Sequence, residues 1–101
     1  MKTETVVIAR IYTSESRHLV AKITDYLTKE AKIHGLSVFR AVTGFGDKGE
    51  HTTSFIDLSL DLPLVIEFFD SKSKMDIALE HFNTVIKPRH MIFWEAQCNL
   101  G

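Results

Sequence analysis

The stretch R-A-V-T-G-F-G-D-K-G-E-H-T-T, residues 40–53, organises the rest of the chain. It follows a run that alternates as a strand does, and it places Gly44, Gly46 and Gly49 ahead of a single histidine, His51. Glycine has no Cβ, so it tolerates positive φ and lets a ligand approach the backbone closely. The stretch therefore predicts a long loop whose exposed amides suit an anion, and a plain hairpin connection without a ligand fits the same pattern.

Length and composition predict one globular domain spanning residues 1–101, because 45% of the 101 residues are hydrophobic and 25% are charged. The formal net charge of -1 provides no overall field to attract nucleic acid, so nucleic acid is not expected as a partner and any anion site must be local. No apolar run reaches the roughly 18 residues of a membrane span and no signal peptide opens the chain, which favours the cytoplasm. Cys98 is the only cysteine, so an internal disulfide is excluded.

Hydrophobic periodicity predicts a strand-helix-strand-strand-helix-strand order. The first strand is β-branched and apolar on both phases, which is typical of a central strand. Ser14 or Ser16 is expected to cap the first helix, and Gly35 to end it in the left-handed conformation. Short side chains at Asp70 and Ser71 are expected to cap the second helix. The patterns place strands at residues 5–12, 36–42 and 91–98, a strand run at 54–60 that Pro63 interrupts and that resumes at 64–69, and helices at residues 19–31 and 70–87.

This order predicts an α+β, ferredoxin-like split βαβ fold (βαββαβ), with an antiparallel sheet and two helices on one of its faces. Several strands are apolar on both phases, so the other face must also be covered. Copies of the same chain would cover it most simply, and a homotrimer is expected. The residues expected on that face are Val7 or Ile8, Phe39, Phe55, Val65, Phe69 and Phe93.

The chemistry-bearing residues point to binding. No nucleophile elbow, Walker loop or H-E-x-x-H motif is present, and the five histidines have no metal-ligand spacing. Arg40 shares a strand face with apolar residues and needs a partner there. The stiff loop around Pro88 carries two further cations, and arginine suits bidentate phosphate binding. The alternative is that these cations are solvated loop charges and bind no phosphate. The cations considered for a phosphate are Arg40, Lys48, Lys87, Arg89 and Arg10.

Four sequence blocks resemble the PII-like family related to the nitrogen-regulatory PII proteins. They are R-I-Y-T-S-E-S, H-G-L-S-V-F-R-A-V-T-G-F-G, E-H-T-T and L-S-L-D-L-P-L-V-I-E-F-F-D, within residues 10–98. The resemblance implies a ferredoxin-like subunit, a trimer with nucleotides in the clefts between subunits, and a T-loop from Gly44 to Thr53 that docks on a membrane transporter or an enzyme. In the matching motifs lie Arg40, Gly44, Gly46 and His51, and Glu15 with Ser16 in the first of them. The residues expected to bind the nucleotide are Arg40, Gly44, Phe45, Gly46, His51, Lys87 and Arg89.

The resemblance implies a non-enzymatic sensor without a cofactor, whose ligand is an adenine nucleotide. Classical PII proteins carry a glycine-rich basic segment in the last loop, where this chain has K-P-R-H, so AMP, ADP or a cyclic adenine dinucleotide is favoured over ATP. Two alternatives stay open. One is a divalent-metal-binding trimer that resembles the copper-tolerance relatives of PII and uses His51, Cys98 or His90. The other is a small enzyme with His51 as general base.

Overall fold

A computed structural model describes residues 1–44 and 63–101. The fold is α+β: four antiparallel strands in the order β2-β3-β1-β4, with two helices packed on one face. This is the predicted ferredoxin-like arrangement. The elements are β1 (Thr3–Ser14), a 3-10 turn (Glu15–Arg17), α1 (Val20–Asp25) with a π-helical continuation (Tyr26–Glu30), β2 (Gly35–Arg40), β3 (Pro63–Ser71), α2 (Lys72–Asn83) and β4 (Met91–Asn99). The strand predicted at residues 54–60 lies outside the described residues.

The first strand lies mid-sheet, as predicted, because β1 pairs with β3 on one side and with β4 on the other. Alternate residues of β1 and β3 point toward the helices. Ala9, Ile11, Ile66 and Phe68 are fully buried there, and they form the core together with the apolar stripes of the two helices. Those stripes contribute Ile23, Leu27, Met75, Ala78 and Phe82.

The predicted end of the first helix is wrong in one respect. The left-handed residue after it is Lys32, with φ 53°, and not Gly35. Gly35 instead opens β2, where it pairs with Phe69, and a Cβ built on it would lie 2.6 Å from Cδ1 and 2.7 Å from Cζ of that ring. The glycine is therefore needed for close packing. Neither Ser14 nor Ser16 caps α1, because its N-cap position is Leu19, without a side-chain cap bond.

The second helix begins where it was predicted to begin but ends earlier. Ser71 holds the N-cap position, yet its side chain makes no cap bond, while the Asp70 carboxylate accepts the Ser71 N–H at 2.6 Å and the His34 N–H at 2.7 Å. The helix ends at Asn83, before Lys87, because amides of the next residues donate hydrogen bonds back to the Phe82 carbonyl. The apolar periodicity continues into this turn, which is why the sequence pattern ran past the helix end.

The face of the sheet opposite the helices, here called the open face, carries large apolar side chains. Tyr12, Phe39, Ile92 and Trp94 on it remain 38%, 49%, 45% and 40% exposed. Ile8, Val65 and Phe69 share this face, as predicted. Of the alternatives Val7 and Ile8, the structure places Ile8 on this face and buries Val7 beneath the helices. One predicted member is wrong: Phe93 lies on the helix face, since it pairs with Ala9. Phe55 lies outside the described residues.

Neither helix in the part of the chain that the structure describes is long and apolar enough to span a bilayer.

Candidate functional site

The candidate site is at one end of the sheet, here called the loop end, where β1 and β2 finish and β3 and β4 start. The strand register gathers these termini, since Ser14 pairs with Pro63, Arg40 with Leu64, and Ile11 with Met91. The Tyr12 amide donates to the His90 carbonyl at 2.8 Å, which ties the loop before β4 to this end. The two segments that sequence analysis chose, after β2 and before β4, therefore lie at the same end of the sheet.

Arg40 is the last residue of β2, and its guanidinium forms an ion pair with Glu15. Its side chain lies on the helix face at the register of Leu64 and crosses the start of β3 to reach the turn that follows β1. The side chains of Arg40 and Glu15 are 56% and 32% exposed, so a dissolved ligand can reach the pair. The prediction that Arg40 needs a partner is confirmed. Sequence reasoning did not identify Glu15 as that partner, although its place directly after the first strand was a usable signal.

Gly44 is the last described residue before the segment 45–62, and it lies against Pro63. A Cβ built on Gly44 would be 3.5 Å from Cγ of Pro63, which is an ordinary contact. The Ala41 amide donates to the Pro63 carbonyl at 2.9 Å and joins the two ends of that segment. Phe45, Gly46 and His51, together with Lys48, lie outside the described residues.

Lys87 and Arg89 are both exposed in the loop before β4. The loop is held by its own backbone: the His90 amide donates to the Lys87 carbonyl at 3.2 Å, and Nδ1 of His90 lies 3.1 Å from the Pro88 carbonyl oxygen. Arg89 has φ 71°, a left-handed conformation that is costly for a residue with a side chain. Neither cation pairs with an acid among residues 1–44 and 63–101, so both are available to a ligand.

The cations of the two loops start from opposite edges of the sheet. Arg40 ends the strand at one edge, and Lys87 and Arg89 precede the strand at the other edge, with β3 and β1 between them. Three strand spacings separate the backbones of the edge strands by about 14 Å. A second copy that places its edge beside the first would bring the two sets together without spanning the sheet.

Arg10, the remaining cation that sequence analysis considered, is not part of this site. It lies on the open face, where Nε donates to Glu67 Oε1 at 2.8 Å and the guanidinium is 5.7 Å from the centre of the Trp94 ring. The hydrogen bond to Glu67, and a second one to Tyr12, raise the pKa of Arg10 above its ordinary value. Its charge is already matched by a carboxylate within the sheet.

Thr13 is a residue at the loop end that sequence reasoning missed. Its Oγ1 is buried and has no hydrogen-bond partner among the described residues, and the residue pairs with Leu64 beside the Arg40 register position. A buried hydroxyl without a partner is uncommon, since most buried polar atoms are satisfied. No sequence pattern indicated a role for Thr13, because threonine is an ordinary residue in a central strand.

A metal site finds no support in the described residues, which contain no cluster of three or more metal-ligating side chains. His90 precedes β4 and Cys98 lies near its other end, so about 27 Å of extended strand separates them. They cannot ligate the same ion within one subunit.

The amino-acid sequence matches the model of the family DUF190 (Uncharacterized ACR) over residues 6–98. The chain belongs to this family. A relative in Aquifex aeolicus (strain VF5), named UPF0166 protein, is 35% identical over 88 residues that cover 82% of this chain and 80% of the relative. A further UPF0166 protein of the same organism is 36% identical over 72 residues, which cover 68% of this chain and 71% of that protein.

Solved structures with the same fold as this DUF190 chain include CPII from Thiomonas intermedia K12 bound to ADP and bicarbonate. That structure has a TM-score of 0.73 at 18% identity and covers 96% of this chain and 91% of CPII. A PII-like signaling protein from Thermus thermophilus has a TM-score of 0.62 at 14% identity and covers 97% of this chain and 91% of that protein. At these identities the likeness establishes the fold, and the resemblance to PII-like proteins is confirmed.

Proposed function

We propose that this DUF190 protein is a PII-like sensor that binds an adenine nucleotide between the subunits of a homotrimer, and that it is not an enzyme. The observation that carries the proposal is the division of the site between the two edge strands. Arg40 ends β2 and Gly44 follows it, while Lys87 and Arg89 precede β4. CPII, which has the same fold, is known with ADP and with ADP and AMP together, and this supports the choice of nucleotide.

The directions of the two edge strands allow one copy of the chain to pair with the next. β2 runs toward the loop end and β4 runs away from it, because both are antiparallel to their neighbours in the order β2-β3-β1-β4. When β4 of one copy lies beside β2 of the next, the strands remain antiparallel and the two loop ends coincide. Lys87 and Arg89 of one copy then face Arg40 and Gly44 of the next, which forms one cleft for each pair of subunits.

The open face provides a driving force for this assembly. Large apolar side chains that stay 38–49% exposed, including Tyr12, Phe39 and Trp94, form a surface that monomers rarely leave in water. A head-to-tail contact that uses opposite edges closes into a ring when the rotation per copy allows it. Three copies give three equivalent clefts.

The charge available favours a ligand with few phosphates. Two exposed cations, Lys87 and Arg89, come from one copy, whereas Arg40 of the other copy already pairs with Glu15. AMP, ADP or a cyclic adenine dinucleotide matches this supply better than ATP does. Phe45, Gly46 and His51 complete the proposed site from the loop side.

The signal is proposed to leave through the loop from Gly44 to Thr53. A nucleotide shifts the loop between two states only by binding one of them more tightly, and near-complete switching needs about 5.5 kcal/mol of differential binding. The proposed target is a membrane transporter or an enzyme, the proposed location of the protein is the cytoplasm, and residues 1–101 act as one domain.

Isothermal titration with AMP, ADP, ATP and cyclic di-AMP tests the proposal. We expect Arg89→Ala to weaken nucleotide binding about ten- to a hundredfold, since a charge-assisted hydrogen bond contributes roughly 1.5–3 kcal/mol. Lys29→Ala is the matched control, because it removes the same charge from the far end of the first helix. Folded protein that gives no heat with any of the four nucleotides refutes the proposal.

Light scattering of the same sample tests the assembly. A trimer mass is expected at micromolar concentration, and a clean monomer would remove the cleft between subunits. Elemental analysis of the purified protein tests the metal alternative.

A further inference from the structure

The ion pair between Glu15 and Arg40 joins two parts of the candidate site that are distant in sequence. Glu15 belongs to the 3-10 turn after β1, and Arg40 is the last residue of β2 before the glycine-rich segment. Among the described residues, Glu15 is the only acid that forms an ion pair with a cation of the site. The pair therefore decides how much of Arg40's charge a ligand meets.

We propose that Glu15 sets the phosphate preference of the site by competing with the ligand for Arg40. It holds the guanidinium while the cleft is empty, releases it to an incoming phosphate, and then remains beside the ligand as a negative charge. The inference rests on the proposed nucleotide site and adds to it a residue that selects among nucleotides.

The exchange of partners is energetically feasible because the pair is open to water. The side chains of Arg40 and Glu15 are 56% and 32% exposed, and pairs of this kind are weak. Phosphate offers the guanidinium a bidentate, charge-assisted contact, which is the stronger kind. A phosphate can therefore displace the carboxylate at little cost.

Selection among nucleotides follows from the carboxylate that stays behind. Its repulsion rises with every phosphate that is added to the ligand, so the penalty is smallest for a monophosphate and largest for a triphosphate. An unfavourable charge placed against the wrong ligand is a common source of specificity. Lys87 and Arg89 have no such competitor among the described residues, so they attract each nucleotide without this penalty.

The test is calorimetric titration of wild type, Glu15→Gln and Asp76→Asn with AMP, ADP and ATP at one pH and salt concentration. Asp76→Asn is the matched control, because it also removes the acid of an exposed ion pair, with Lys72 on α2. We expect Glu15→Gln to tighten binding up to about fivefold, the range that an exposed ion pair allows. The gain should be larger for ATP than for AMP, and Asp76→Asn should match wild type.

A second background shows whether Glu15 acts through Arg40. In Arg40→Ala protein, the gain from Glu15→Gln should be smaller than in the wild-type background, because there is no guanidinium left to release and only the direct repulsion between the carboxylate and the ligand remains. A gain that persists unchanged in that background overturns the inference.

The remaining outcomes separate this inference from the proposed function. Wild type that binds nucleotides while Glu15→Gln binds them with the same affinities and the same preference overturns only the role of Glu15. Absence of binding by both proteins overturns the nucleotide site and the inference together. Binding by Glu15→Gln alone supports the inference, since it shows that the carboxylate blocks the site.

Discussion

Replacement of Gly35 by alanine tests the packing between β2 and β3, which holds the strand that ends at Arg40. The new Cβ would lie 2.6 Å and 2.7 Å from two ring carbons of Phe69, well inside van der Waals contact. The ring is half-buried, and the His34 ring lies edge-on to it at 6.3 Å between centres, so a displaced ring loses these contacts. We therefore expect the substitution to overpack this corner of the sheet.

The expected loss is the difference of two terms. Overpacking of a well-packed site costs about 1–3 kcal/mol. Replacing glycine by alanine recovers about 0.4–1 kcal/mol, because it restricts the unfolded chain and Gly35 does not adopt a left-handed conformation. We expect the free energy of unfolding of Gly35→Ala to fall by about 1–2 kcal/mol.

Urea denaturation at one protein concentration measures this loss, and a double-mutant cycle assigns it to the ring. Phe69→Val removes the clashing atoms, which lie at and beyond the δ position of the ring, so Gly35→Ala should cost little in that background and the cycle should show a coupling of about 1 kcal/mol. Gly44→Ala is the control, because its Cβ would lie at an ordinary 3.5 Å from Pro63. Gly35→Ala protein as stable as wild type would refute the packing argument.

The remaining predictions concern the core, the response to pH and the assembly. Phe82→Ala should cost about 3–5 kcal/mol in urea denaturation, since Phe82 is 1% exposed, whereas Ile77→Ala, 69% exposed, should change stability by less than about 0.5 kcal/mol. Burial, and then the charge of Glu30, raise the pKa of Tyr26 above its ordinary 10.0. The folded protein thus keeps this proton after the unfolded chain loses it, so stability should fall above about pH 10, and Tyr26→Phe should lessen the fall in pH-dependent denaturation. Trp94→Glu should dissociate the trimer in light scattering, while Ile77→Glu should leave its mass unchanged.

The sequence was sufficient for the fold because its patterns are strong and agree with one another. The first strand is β-branched on both phases, and it does lie at the centre of the sheet. Apolar spacing identified both helices, and the strand before each of them follows from the switch of period. The PII-like resemblance added the family, which the match over residues 6–98 confirms.

The details that failed depend on three-dimensional packing. A glycine after a helix commonly adopts the left-handed conformation that ends it, but here Lys32 adopts that conformation. The space beside Gly35 is instead filled by Phe69, which lies far along the chain. The face on which Phe93 lies depends on strand register, because a shift of one residue moves every side chain of a strand to the other face. The Glu15–Arg40 pair follows from the sheet order, which places β3 between the two residues, and no local pattern encodes that order.

The sheet order also explains how the proposed sensor could be built from so small a chain. Because β2 and β4 are the two edges, the residues proposed to hold a phosphate are divided between edges that a second copy would join. Ligand binding is then linked to subunit contact, and a site completed between subunits reports on the assembly as well as on the nucleotide. The glycine-rich segment begins directly at Arg40, whose partner a phosphate is proposed to replace. A change of partner at that residue therefore acts at the base of the segment through which the signal is proposed to leave.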